Sequence, residues 1–243
     1  MTELVWFASP HGLTKFVKPP INGGQTRICP TTCAKSLRVT LDDNLKLAKH
    51  VSNVFMTCFF QIWQLRHIRR YLNFEAASTL INSFVMTRID YYNSLFAAAP
   101  VYQTDQLQRM PISAARLLLR VPKSDWELRN KVRDRLHWLR APERASYKLC
   151  TVVYKALRNI ASSYLAELCV PIVTDAHRSH LRSADGKELK VLRHKLSTYG
   201  PRSFSIAGPK VRNSLPSIFG WELIVRTVTS GLKSFLFRIS YDL

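Results

Sequence analysis

The chain has 243 residues, with 36 Lys and Arg against 16 Asp and Glu, so its formal net charge is +20. That balance points to a polyanionic partner, while 47% hydrophobic and 11% aromatic residues exclude global disorder, which needs low hydrophobicity together with high charge. The longest apolar stretch, Val54 to Trp63, is interrupted by Thr57 and Gln61 and falls far short of the ~20 residues that span a bilayer, so no transmembrane helix and no membrane partner are expected.

At the N-terminus, Glu3 stands where a signal peptide carries positive charge, and five cysteines (Cys29, Cys33, Cys58, Cys150, Cys169) suit free thiols in a reducing compartment. Nucleus or cytoplasm is the expected location. The charge is uneven: residues 101–160 carry a net +8 and residues 161–243 a net +6. The expected contact surface lies in those two segments.

In chain order, Leu4–Phe7 reads as a short strand, Pro19 to Gly24 as turns, and Leu37–Leu41 as a second strand, since Leu37, Val39 and Leu41 alternate with Arg38 and Thr40. Asp42, Asp43 and Asn44 supply helix-cap chemistry. Val51, Val54, Phe55, Cys58, Phe59, Ile62 and Leu65 then recur at steps of three and four, the mark of an amphipathic helix. Arg66, His67, Arg69 and Arg70 fall in its last turns, where cations also suit the negative end of the helix dipole.

A second helix is expected from Asn73 as N-cap through Ile89. Past Pro100, Thr104 and Asp105 can cap a third, through Leu107, Ile112, Ala115, Leu118 and Leu119; Pro111 sits inside it and should bend or weaken it. Ser124-Asp125-Trp126-Glu127 has the spacing of a capping box and opens a basic helix through Val132 and Leu136. Pro142 suits the first turn of a long helix with Ala145, Leu149, Val152, Val153, Ala156 and Leu157 inward. From Pro171 to Pro216 the periodicity fades, with one strand candidate at Leu189–Leu192, and a last helix runs from Thr229 to Ile239. The fold expected is mainly α, a helical bundle with a small β-element at the N-terminus and an irregular basic C-terminal region.

Familiar catalytic signatures are missing. There is no phosphate-binding Gly-rich loop, no His-Glu-x-x-His and no Gly-x-Ser-x-Gly, and only eight glycines in all. Cys29 and Cys33 with His50 lack a fourth zinc ligand at a workable spacing, so buried or free thiols are the expectation. The adjacent carboxylates Asp42 and Asp43 point apart on an extended backbone and are read as helix-capping groups. His137-Trp138 is read as a half-buried aromatic pair closing a helix. No cofactor, no metal and no small-molecule substrate are expected.

Several phrases resemble a known family when taken in order. They are Thr2-Glu3-Leu4-Val5-Trp6-Phe7, Leu37-Arg38-Val39-Thr40-Leu41-Asp42, Thr87-Arg88-Ile89-Asp90-Tyr91-Tyr92-Asn93-Ser94-Leu95, Ala114-Ala115-Arg116-Leu117, Leu136-His137-Trp138-Leu139, Tyr147-Lys148-Leu149, and Tyr199-Gly200-Pro201-Arg202-Ser203-Phe204 with Ala207-Gly208-Pro209 and Asn213-Ser214-Leu215-Pro216. Read this way, the chain resembles the reverse transcriptase of LINE-type (non-LTR, jockey-like) retrotransposons, nearly end to end.

The resemblance implies a division into a remnant of palm strands (1–43), a helical thumb-like domain (44–160) and a basic C-terminal region with a terminal helix (161–243). It also implies what is missing. The family's palm carries Tyr-Ala-Asp-Asp, whose carboxylates hold two Mg²⁺ ions for nucleotidyl transfer, and no such tetrapeptide occurs here. The implied function is a non-catalytic fragment of an RNA-directed DNA polymerase that binds RNA and DNA as primer-template. The alternative is a degenerate relic or a helical interaction module without nucleic-acid function.

Phosphate contacts are expected from Arg66, Arg69 and Arg70, from Arg109, Arg116 and Arg120, and from Arg129, Lys131, Arg133 and Arg135. Four departures from the family pattern stand out. Arg38 replaces a Gly, Pro111 interrupts a helix, Arg140 stands where Pro follows His-Trp-Leu, and Arg212 takes the place of a Trp.

Overall fold

Helical periodicity carries through into the computed structural model, which describes residues 2–23, 26–172, 188–196, 199–216 and 225–242. The fold is mainly α, with two small two-stranded sheets near the N-terminus. The chain divides into two units, Met1–Tyr71 and Leu72–Leu243.

In the first unit, a short helix α1 (Pro10–Lys15) precedes two antiparallel hairpins, β1 (Ile21–Gly23) with β2 (Thr26–Ile28) and β3 (Cys33–Ser36) with β4 (Val39–Asp42). Leu4–Phe7 is not a strand. Leu4 alone forms a bridge, to Pro30, which has no N–H with which to extend a ladder. The second strand begins at Val39 rather than Leu37, because Leu37 and Arg38 form the two-residue turn between Ser36 and Val39. Both have positive φ, 46° and 65°, the conformation whose twist matches the flanking strands.

Helix α2 (Ala48–Ile68) buries Val51, Cys58 and Leu65 as its spacing dictates. It packs on β4: the Thr40 amide donates to His50 Nδ1 at 3.4 Å, and Asn53 Nδ2 donates to Thr40 Oγ1 at 3.2 Å. Burial lowers the His50 pKa, which keeps the imidazole neutral as that acceptor. The helix expected to open the segment 44–160 thus sits against the hairpin in the first unit. The polar run before it acts one turn earlier than expected. Asp42 Oδ1 accepts from the Leu47 amide, Asn44 Oδ1 from the Lys46 amide, and Asp43 pairs with Lys18, so none of the three caps the helix itself.

In the second unit, Asn73 Oδ1 accepts from the Ala76 amide at 2.8 Å and starts α3 (Phe74–Ile81), which runs through a π-turn (Asn82–Met86) into α4 (Thr87–Asp90). Helix α5 (Val101–Leu119) begins three residues before Thr104, at Pro100, whose fixed φ suits a helix entry. It continues through Pro111, which is buried.

The capping box at Ser124 does not form. Asp125 Oδ1 instead accepts from the Glu127 amide two residues on, a turn that competes with the box, and the helix α6 (Leu128–Lys131) starts later. It passes through a π-turn (Val132–Leu136) to His137, which ends it at φ 51°.

Helix α7 (Ala141–Leu157), with Pro142 in its first turn, is the axis of the core. Its Cys150 joins Leu139 and the residues Leu232 and Leu236 of the last helix, while its Val153 and Ala156 join Cys169 and Leu189. After the short α8 (Ser163–Glu167) comes α9 (Phe204–Asn213), a helix that the fading periodicity of 171–216 conceals, and then α10 (Val225–Tyr241). Residues 173–187 and 197–198 of that stretch lie outside the described residues.

Leu189–Leu192 is not a strand. Leu189 bridges Pro171, and both of its backbone groups are taken by the Asn213 amide, at 2.9 and 2.8 Å, in place of a neighbouring strand. Helix α9 meets α7 at Gly208, where a Cβ would come within 2.9 Å of Val153 Cγ2, so the two helices approach too closely there for any side chain.

Candidate nucleic-acid interface

The expected phosphate contacts fall into several groups. In the first unit, Arg66 and Arg70 are exposed, and the Arg70 guanidinium lies 4.7 Å from the Tyr71 ring centroid. Arg69 is only 8% exposed. It follows the buried Leu65 by four residues, which puts it on the same helical face, and this removes it from the contact surface.

In the second unit, Arg109, Arg116 and Arg120 are seven and four residues apart, a spacing that aligns them on one face of α5. Arg109 is exposed. Arg116 is half-buried with its Nε unpartnered, and Arg120 ends the helix at φ 55° and donates to the Leu72 carbonyl at 3.5 Å.

Asp125 ties this face to the basic stretch. It binds Lys131 Nζ at 2.6 Å and feels the charge of Arg116, which with the Lys131 hydrogen bond holds its carboxyl below the usual range; the same bond raises the Lys131 pKa. Arg129 is held by the Ser240 carbonyl at 3.2 Å and by Asp242 at 2.9 Å, beside the Tyr241 ring. Arg133 pairs with Asp134 at 2.6 Å. Arg135 is exposed and forms no ion pair among the described residues. Exposed pairs of this kind are worth about 0–1 kcal/mol each, so a phosphate can take over the cation at little cost.

A second feature was not legible as a site in the sequence. Three of the phrases that carry the resemblance, those at 87–95, 136–139 and 147–149, meet around a cavity of about 500 Å³. Asp90 and Arg144 form one wall, with Arg144 Nη1 donating to both carboxylate oxygens at 2.6 and 2.8 Å and Nε to the Leu139 carbonyl at 3.0 Å. Asn93, 6% exposed, donates to Asp90 at 3.3 Å and to the Arg144 carbonyl at 3.5 Å. His137, Trp138, Tyr147, Lys148 and, from α10, Lys233 complete the lining. The Trp138 carbonyl is fixed by the Tyr241 hydroxyl at 2.7 Å. The only sequence signal for this site was the order of the phrases, since Lys233 lies 85 residues beyond Lys148.

The remaining chemistry is structural. Cys33 Sγ accepts from Lys49 Nζ at 3.0 Å, and no group of three or more His, Cys, Asp or Glu side chains among the described residues is arranged to hold a metal ion. Burial pushes the Cys150 thiol up to about 12 and the Cys169 thiol up to about 11, so both stay protonated at neutral pH. No helix among the described residues is long and apolar enough to cross a membrane. No family model, curated protein or solved structure matches the chain.

Proposed function

We propose that the chain is the C-terminal part of a LINE-type reverse transcriptase, without catalytic activity of its own, that binds RNA–DNA primer-template through the basic faces of its second unit, in the nucleus or cytoplasm. The observation that carries this reading concerns the positions where the chain departs from the family. Position 38, a Gly in the family, has φ 65°, where Gly is the least strained residue. Position 140, a Pro in the family, has φ −70°, within the range of a proline ring. Position 212, a Trp in the family, is 8% exposed, and burial lowers the Arg212 pKa. The backbone or burial at each of the three suits the family's residue better than the arginine present. Nothing in the structure explains Pro111.

Reversion tests the relationship. Arg38→Gly and Arg140→Pro should each stabilise the chain by about 0.5–1 kcal/mol in urea unfolding, and Arg212→Trp should stabilise it by removing a buried charge. Most substitutions destabilise by about 1 kcal/mol, so three losses in place of three gains would sink the relationship. A gel-shift titration with an RNA–DNA duplex tests the binding, and primer extension with Mg²⁺ should stay at background. A second reading, a helical module without nucleic-acid contact, draws on the internal pairing of Arg129, Lys131 and Arg133. Absence of any duplex retention would favour it.

A further inference from the structure

We infer that the cavity between Asn93, Trp138, Tyr147, Lys148 and Lys233 is a binding site for a single unpaired nucleotide. The inference deepens the reading above, because it names the form of nucleic acid that the second unit would hold apart from a duplex backbone.

Size is the first argument. A cavity of about 500 Å³ lies within the ~300–1,000 Å³ range of ligand sites and accommodates one nucleotide but not a base pair with its backbone.

Polarity is the second. Asn93 Nδ2 is committed to two acceptors, Asp90 and the Arg144 carbonyl, which fixes the amide orientation and makes the other atom an acceptor. That atom, Oδ1, has no partner although the residue is 94% buried by its 6% exposure. A buried acceptor without a donor costs about 1–3 kcal/mol, so the site is built to receive an N–H or O–H group. Every nucleobase offers one, as an exocyclic amine or a ring N–H. Asp90 does not repel an anion here, since both of its oxygens are neutralised by Arg144.

Charge and shape supply the rest. Lys148 on α7 and Lys233 on α10 line the same cavity, are exposed, and form no ion pair among the described residues. They are free to neutralise a phosphate. Trp138 and Tyr147 are half-buried rings on the same lining, and aromatic faces stack on bases without regard to sequence. A donor-bearing planar ring joined to a phosphate satisfies all three features at once.

The nucleotide can come free or as the unpaired end of a strand. Titration calorimetry of the full chain with adenosine and cytidine monophosphate should show binding with a Kd of millimolar or tighter. Lys148→Ala and Lys233→Ala, both surface changes that spare the core, should each weaken it about tenfold, the loss expected for one charged hydrogen bond. No binding at millimolar mononucleotide, or equally tight binding of phosphotyrosine, would overturn the inference. A comparison of a blunt RNA–DNA duplex with one carrying an unpaired tail then identifies the source. A gain from the tail that the lysine variants abolish assigns the site to strand ends, and no gain assigns it to free nucleotide. If mononucleotides bind and the blunt duplex does not, the site stands and only the duplex-binding reading falls.

Discussion

Affinity for an RNA–DNA duplex should fall about 10³–10⁵-fold between 50 and 200 mM salt, the loss expected when six to ten phosphates are neutralised and their counterions released. The structure sets where in that range the result belongs. Arg129, Lys131 and Arg133 already have carboxylate partners, Asp242, Asp125 and Asp134. The Arg129 and Asp242 side chains are 58% and 83% exposed, which places that pair among those worth little in water. Opening all three pairs costs about 3 kcal/mol at most, roughly two decades of affinity. Arg109, Arg135, Lys148 and Lys233 need no such exchange among the described residues, and should dominate the slope. Filter binding across a salt series checks this. Arg109→Ala and Arg135→Ala should each reduce the slope of log K against log salt by about 1, and a series that is flat in salt would remove nucleic acid as the partner.

Sequence periodicity located the helices whose apolar faces are continuous, α2, α5, α7 and α10, because burial alone decides those residues. It failed where a local rule competes with the helix. Gly208 and Pro209 inside Phe204–Asn213 both score against a helix, yet Gly208 is there because α9 and α7 touch at Val153, a tertiary requirement invisible in a window of ten residues. The Ser124 to Glu127 spacing matched a capping box, but Asp125 reached the Glu127 amide first. The Leu37-Arg38 turn carries no Asn or Gly to mark it, and so was read as strand.

The basic residues were legible as charge but not as geometry. Arg66 and Arg69 are neighbours in sequence, yet one is exposed and the other buried, since a step of three residues is enough to leave the solvent face of a helix. The cavity was less legible still. Its lining comes from positions 90 to 93, 136 to 148 and 233, and only packing brings them together. Asn213 shows the same dependence: its side chain holds both backbone groups of Leu189, a role that no local pattern around Asn213 announces.

The Asp90–Arg144 pair is where fold and site depend on the same contact, and breaking it should cost about 2–3 kcal/mol. A fully buried pair loses about 3–5 kcal/mol when one partner is removed. Here the Arg144 side chain is 15% exposed but Asp90 is 44% exposed, so water partly solvates the carboxylate and the cost falls below that range. Asp90→Ala should be the more damaging of the two single changes relative to exposure, because it strands a guanidinium that has only the Leu139 carbonyl left among its hydrogen-bond partners and also strips Asn93 of one acceptor. Arg144→Met keeps the aliphatic stem and leaves a carboxylate that can turn to solvent. The double change should therefore cost less than the sum of the singles, with a coupling of about 1–2 kcal/mol. Urea unfolding with an unchanged m-value measures all three. Single losses under about 0.5 kcal/mol, or strict additivity, would show that the pair does not hold the cavity wall, and the buried Asn93 would then have to be positioned by its contact with the Arg144 carbonyl alone.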